Sequence, residues 1–397
     1  MRVNRCPICS VPVAAPLLVY ERTPASLNRC WGTPRLARKA VVGRLELSFC
    51  EQCEFGFNSA FEPSLSYYDS SYENEQSHSP VFRDHLERVA DLAIAAYAER
   101  DRAIVEIGCG QGAFLRLLAR KLGPRVRLAG LDPACRAPSG PGEPMRLLAR
   151  RLDQITVDDL PGDPSLLYSR HVIKHIPRPV EFLRDWGRLN PSCRDVAILL
   201  ETPSLEWILQ NGAYVDFLYE HCSYFSETAL RRLLARAGFE TCSVQRMFGA
   251  QYFVAIARTG AGRTPQEPPP ASVRHALERF VEAESEYRKQ WSDWIAEDAR
   301  GNRLAVWGGG AKGVSFVSLH DPDANRIECV IDINPQKQGR FIPVTGHPIV
   351  APEEAARRGI TAAIVMNPNY FDEIRAIVDA MFAKMNLIPF QVCARSG

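Results

Sequence analysis

The chain has 397 residues, 46% of them apolar and 24% charged, which is enough to bury a real core and more than one ordinary domain needs. The formal net charge of +2 gives no bulk electrostatic reason to expect nucleic acid or a membrane surface as partner. There is no run of about 18 apolar residues to span a bilayer, and the start, MRVNRCPICS, has no apolar signal core, so the expectation is a cytoplasmic monomer with reduced cysteines.

Residues 1–80 read as irregular chain holding two CxxC pairs, Cys6-Pro-Ile-Cys9 and Cys50-Glu-Gln-Cys53. Two intervening residues let both thiolates of a pair face one ion, and two pairs complete the tetrahedral sphere that zinc prefers. Cys6, Cys9, Cys50 and Cys53 are therefore expected to hold a structural zinc with no open position for catalysis. Unliganded thiols and a redox pair are the other readings of the same spacing. Arg35, Arg38, Lys39 and Arg44 lie nearby but are too sparse for a nucleic-acid site.

Residues 81–260 alternate strand-like and helical patterns. The apolar run AIVEI (103–107) enters a glycine turn, Gly108-Cys-Gly110-Gln-Gly112, followed by the helical FLRLLARKL. VRLAGLD (126–132) reads as the next strand and ends on Asp132. A GxGxG turn alone would serve NAD or FAD as well. Glu106 two positions before the first glycine, with this spacing, resembles methyltransferases that use S-adenosylmethionine. That resemblance implies Glu106, Gly108, Gly110 and Gly112 around the methionine end of the cofactor and Asp132 on its ribose. LLYSRHVIKHIPRP is similar to the segment that follows the fourth strand in those enzymes, which brings Arg170 and His171 to the cofactor. His175, at the following turn, reads more simply as structural.

Residues 216–226, DFLYEHCSYFS, gather Tyr219, Glu220, His221 and Tyr224 just ahead of a helix that Ser226 would cap. Packing gives no reason to collect an imidazole, a carboxylate and two phenols there; proton transfer does. A Gly/Pro-rich break at 259–272 precedes a charged amphipathic helix, within a linker region 261–300. Residues 301–397 then repeat the earlier pattern: LAVWG, the turn GGAKG, a helix, and IECVID ending on Asp332. Lys312 in that turn is placed to meet a phosphate.

Taken end to end, the chain resembles the zinc-containing C-methyltransferases of deoxysugar biosynthesis, which act on nucleotide-linked 4-keto sugars. The motifs that carry the likeness are the CxxC pairs, YYDSSYENE, EIGCGQG with Asp132, YEHCSYFS, and VWGGGAKGVSF with DINPQKQGRFIP. The implied fold is α/β: a Rossmann-like class I methyltransferase domain, an N-terminal zinc-binding module, and a second, acceptor-binding Rossmann-like domain. The implied roles are His221 as general base, Glu220 orienting it, Tyr224 donating to an oxyanion, and Tyr219 and Lys312 contacting a small-molecule, nucleotide-linked acceptor. Two departures concern the acceptor. Leu218 stands where the family has the first tyrosine of YHEH, and Phe248-Gly-Ala-Gln251-Tyr252 replaces an HGGS-like run, which makes Gln251 and Tyr252 acceptor contacts of this chain. An O- or N-methyltransferase and a non-catalytic zinc-bearing binding protein are the alternatives.

Overall fold

The computed structural model describes residues 5–66, 68–97, 102–137, 145–190, 195–259, 273–382 and 384–390. Apart from Thr259, the glycine- and proline-rich break expected at 259–272 lies outside the described residues. The first 80 residues, expected to be irregular, hold three antiparallel strands: β1 (Leu18–Pro24), β2 (Val42–Cys50) and β3 (Phe55–Asn58). β3 (FGFN) is buried at all four positions, so it lacks the in/out alternation by which a strand is usually recognised.

The central sheet takes β4 (Ala103–Ile107), β5 (Arg127–Leu131), β6 (Met145–Leu148), β7 (Pro164–Arg170) and β8 (Ala197–Pro203) in parallel. The next strand in the chain, β9 (Ser223–Phe225), leaves this sheet and pairs antiparallel with β3, completing the N-terminal sheet in the order β1-β2-β3-β9. The chain then returns with a hairpin, β10 (Phe239–Met247) and β11 (Tyr252–Thr259), whose second strand runs antiparallel to β8. The full order is β6-β5-β4-β7-β8-β11-β10. β4 is buried at every position and β7 and β8 at all but the last, as expected for parallel strands covered on both faces.

The amphipathic stretch forms one helix, Val273–Asp298. Beyond it lies an all-parallel sheet of β12 (Leu304–Trp307), β13 (Ile327–Ile331), β14 (Ile349–Val350), β15 (Ala362–Val365) and β16 (Asn386–Pro389), ordered β14-β13-β12-β15-β16. Strand order reverses at β4/β7 in the central sheet and at β12/β15 in the last one. Crevices open beyond the carboxyl ends of strands at such points.

The two glycine turns are built alike. Gly110 N–H donates to Asp132 Oδ2 at 2.7 Å and Ala134 N–H to Oδ1 at 2.7 Å. In the last sheet, Gly309 N–H donates to Asp332 Oδ2 and Asn334 N–H to Oδ1, both at 2.8 Å. The acid at the tip of the second strand thus locks the glycine turn of the first. No helix among the described residues is long and apolar enough to cross a membrane.

Gly313 allows the helix Ala311–His320 to sit close on its own turn, since a Cβ there would lie 1.9 Å from the Gly308 carbonyl oxygen. Gly313→Ala should destabilise the protein by about 1–3 kcal/mol, the usual cost of overpacking. A urea midpoint equal to that of the parent chain would contradict this.

Candidate active site

At the carboxyl ends of β4 and β5 lies a cavity of about 330 Å³, lined by Glu106, Gly108, Gly110, Asp132, Arg170, His171 and His175. Gly108, Gly110 and Gly112 all have positive φ, a region in which only glycine is unstrained. Glu106 is buried and accepts from Tyr168 Oη at 2.9 Å. Burial pushes its carboxyl up to about 7, against the pull of Arg170 and Tyr168. The Arg170 guanidinium lies 4.2 Å from the centre of the Phe114 ring, between Glu106 at 3.8 Å and Glu201 at 3.7 Å. Both Asp132 oxygens hold loop N–H groups, and each keeps a further lone pair for a ligand hydroxyl.

A second cavity of about 220 Å³ opens between the central and C-terminal sheets. His221, Gln251, Tyr252 and Lys312 line it, as do Lys174, Leu218, Asp332 and Lys337. The two cavities share Asn74, Glu75, Gln76 and His171 in their walls, so they adjoin. Gln251 Oε1 accepts from Asn367 at 3.1 Å and Asn369 at 3.0 Å, tying the β10–β11 hairpin to the last sheet. Tyr252 stacks on Phe248 and meets His171 edge-on, with ring centres 4.5 Å apart. Lys312 is paired with Asp216 and lies over the Trp207 ring.

His221 and His175 stand at this junction, their rings edge to face with centres 4.9 Å apart; His221 lines the acceptor-side cavity and His175 the other. His175 Nδ1 lies 2.8 Å from the Glu220 carbonyl oxygen and 2.8 Å from Tyr68 Oη. A carbonyl can only accept, so Nδ1 carries the proton. Burial, and then the charge of Lys174, hold both histidines well below the ordinary imidazole range. They are therefore neutral at cellular pH. The buried Glu220 carboxylate receives Tyr72 Oη at 3.3 Å and Leu27 N–H at 3.4 Å, and burial lifts it to about 7.

Two residues expected at the site face elsewhere. The Tyr219 hydroxyl takes the Glu62 N–H at 2.9 Å, and its ring packs on Phe61. The Tyr224 hydroxyl is held by Leu218, donating to its carbonyl at 2.9 Å and accepting from its N–H at 3.0 Å. Both phenols brace the turn that carries His221 and are not among the residues lining the acceptor-side cavity. Conversely, the sequence reading assigned no role to Tyr68, Tyr72, Lys174, His85 or Glu201. A carboxylate in the otherwise apolar β8 (AILLETP) was the available signal for Glu201. Burial alone would raise it, but His171, His85 and Arg170 hold it well below the carboxylate range.

Residues 79–244 match a methyltransferase domain family, and residues 272–387 match the C-methyltransferase C-terminal domain. The C-methyltransferase NovU of Streptomyces niveus is 24% identical over 94% of this chain and 91% of its own length. The two domain matches and this relative support a C-methyltransferase family. The chain is an S-adenosylmethionine-dependent enzyme, which removes the non-catalytic alternative. Among solved structures, the 1,6-didemethyltoxoflavin-N1-methyltransferase of Burkholderia thailandensis is similar over 46% of this chain and 82% of its own (16% identity, TM-score 0.34). A methyltransferase from Mesorhizobium loti covers 44% and 99% (18% identity, TM-score 0.33). Likeness at that level carries no argument about the reaction.

Away from the cavities, Cys6, Cys9, Cys50 and Cys53 bring their sulfurs within 4.8 Å of one another, with no disulfide. Ile8 N–H points at Cys6 Sγ at 3.4 Å, and Cys9 and Cys50 Sγ are 3.6 Å apart. Four sulfurs at ~2.3 Å from one tetrahedral ion stand ~3.8 Å from each other, so the set fits a metal of zinc's preference.

At Gly108 an added Cβ would lie 2.0 Å from Val172 Cγ2, on a backbone with φ of 84°. Gly108→Ala must therefore move either the glycine turn or the turn after β7. A backbone penalty of ~1–2 kcal/mol at this position corresponds to roughly tenfold weaker binding of S-adenosylhomocysteine. Calorimetry would check this, and parent-like affinity would speak against the cavity as the cofactor site.

Proposed function

We propose that the enzyme methylates a carbon beside the carbonyl of a nucleotide-linked keto sugar, with His221 as general base. The observation that carries this reading is the placement of His221: a buried, neutral imidazole on the acceptor-side cavity, in ring contact with a histidine on the cofactor-side cavity. A base at that junction can take a proton from the acceptor carbon while the same carbon faces the donor methyl.

S-adenosylmethionine, when bound, supplies the electrophilic methyl group. Glu106 and the glycine turn would hold its methionine end, Asp132 its ribose, and Arg170 and His171 the wall nearest the acceptor. Glu220 orients the turn, since its carbonyl engages His175 and its carboxylate engages Tyr72. Its position on the chain next to His221 makes it a positioning residue. Gln251 and Tyr252 would bound the acceptor on the β10–β11 side. The last sheet, with Asp332 and the turn at Gly308, would take the nucleotide portion.

His221→Asn should cut methyl transfer by ~10²–10⁴, the usual worth of a general base, while leaving S-adenosylhomocysteine affinity intact. Full turnover in that variant would sink the mechanism. NMR of the product locates the new methyl group, and a methyl on oxygen or nitrogen would favour the alternative acceptor class.

The cysteine cluster is proposed to hold a structural zinc. Elemental analysis of protein purified without chelators should find about one zinc per chain. Metal-free protein with its fold intact would count against the site.

A further inference from the structure

Three lysines line the acceptor-side cavity, and two of them are already satisfied. Lys312 pairs with Asp216. Lys337 donates to the Gly309 carbonyl at 3.1 Å and reaches Asn28 Oδ1 at 3.5 Å. The third, Lys174, makes no hydrogen bond or ion pair with the described residues. It is partly buried in the turn Ile173–His175, immediately before His175, and shares the cavity wall with His221. Withdrawing an ammonium from water without a partner costs free energy that a folded protein recovers when an anion arrives.

Three hydroxyls near His221 are already engaged. The Tyr219 and Tyr224 hydroxyls are bound to backbone, and the Tyr72 hydroxyl is on Glu220. Among the described residues, Lys174 is a cation on this cavity wall without a partner, placed to meet charge that develops during proton removal.

We propose that Lys174 binds the carbonyl oxygen of the acceptor and carries the negative charge that develops there when His221 removes the neighbouring proton. This rests on the keto-acceptor reading above. In the step, the carbon–hydrogen bond breaks and its proton goes to His221. The electron pair forms a carbon–carbon double bond, and the carbonyl π pair moves to oxygen, where the Lys174 ammonium meets it. The enolate carbon then forms its bond to the methyl group as the donor's carbon–sulfur bond breaks, leaving the pair on sulfur and restoring the ketone.

Electrostatics agree with this role. Lys174 is brought down to about 8 by burial, against Glu220, Asp216 and Glu201, which raise it; Lys312 lowers it further. The rings of His171, His175 and His221 face the same charge. Only the protonated amine carries the positive charge that stabilises the oxyanion, so activity should fall as pH rises through about 8. An arginine, charged at all working pH, should move that limb upward.

The test is exchange of the carbon-bound proton beside the ketone of a thymidine diphosphate-linked 4-keto-6-deoxy sugar. The reaction is run in deuterated water with S-adenosylhomocysteine present, so that no methyl can transfer. The wild type should exchange that proton. Lys174→Met should slow exchange ~100-fold, the usual loss of an oxyanion donor, at unchanged S-adenosylhomocysteine affinity and melting temperature. Lys174→Arg should recover part of the rate with its alkaline limb displaced upward, an effect no purely structural role would produce. Wild-type exchange in Lys174→Met, or an unmoved limb in Lys174→Arg, overturns the assignment of Lys174 while the base mechanism stands. Failure of the wild type to exchange overturns the keto-sugar reading itself, and the Lys174 assignment falls with it.

Discussion

The position of His221 depends on three residues of strand. β9 leaves the central sheet's course to pair with β3 through Phe55–Phe225, Gly56–Tyr224 and Phe57–Ser223. Asn58 N–H continues the ladder to the Cys222 carbonyl at 3.1 Å, one residue beyond His221. At the other end the Ser226 hydroxyl donates to the Glu54 carbonyl at 2.8 Å while accepting from Ala229 N–H as a helix cap. The turn carrying Glu220 and His221 is thus clamped to the N-terminal sheet. Upstream of β3, Cys50 ends β2 and Cys53 lies in the turn that joins the two strands. The cysteine cluster, away from the cavities, thus sits next to the start of the strand that pairs with β9.

Around that clamp the protein concentrates charge that water does not solvate. Glu201, on a central strand, is hydrogen-bonded to His85 at 2.5 Å and has His171 at 3.4 Å and Arg170 at 3.7 Å beside it. His171 bends into the left-handed region, φ 58°, and its N–H reaches the Glu201 carbonyl at 2.8 Å. A non-glycine residue held in such a conformation costs of order 1–3 kcal/mol and persists where surrounding contacts over-determine it. Here those contacts hold an imidazole in the wall common to both cavities. Breaking this cluster at one partner leaves the other charges buried and unpaired, which is more damaging than removing a surface pair.

The repeated acid clamp explains why one chain carries two similar βαβ units without duplicating their use. Asp132 and Asp332 lock their glycine turns with the same pair of backbone bonds. What differs is the surroundings. The first turn faces Tyr68, Tyr72 and Phe114, whereas the last faces Lys312, Lys337 and Asn334 across the seam to the central sheet. Residues 28–38 cross that seam as well: Trp31 and Phe341 exchange backbone hydrogen bonds, and Arg38 Nε donates to the Thr345 carbonyl. The acceptor-side cavity is walled by the N-terminal segment, the central sheet and the last sheet together.

Local signals in the sequence were enough for the two Rossmann-like units, the paired cysteines, the glycine turn with Asp132, and the cap at Ser226. Each is encoded within a few residues, by backbone freedom, ligand spacing or a side chain reaching its own helix. Long-range pairing has no such signature. The N-terminal sheet was not legible because β3 is buried throughout and its partner β9 lies more than 160 residues away. For the same reason Tyr219, Tyr224, Glu220 and His221 read as one polar group, and only the fold separated them. Two phenols turn inward to brace the loop, the carboxylate meets Tyr72 and Leu27, and the imidazole alone of the four reaches the acceptor-side cavity. Sequence determined which chemistry the chain carries; tertiary packing decided which atoms are left free to perform it, because a polar group that is buried must spend its hydrogen bonds somewhere.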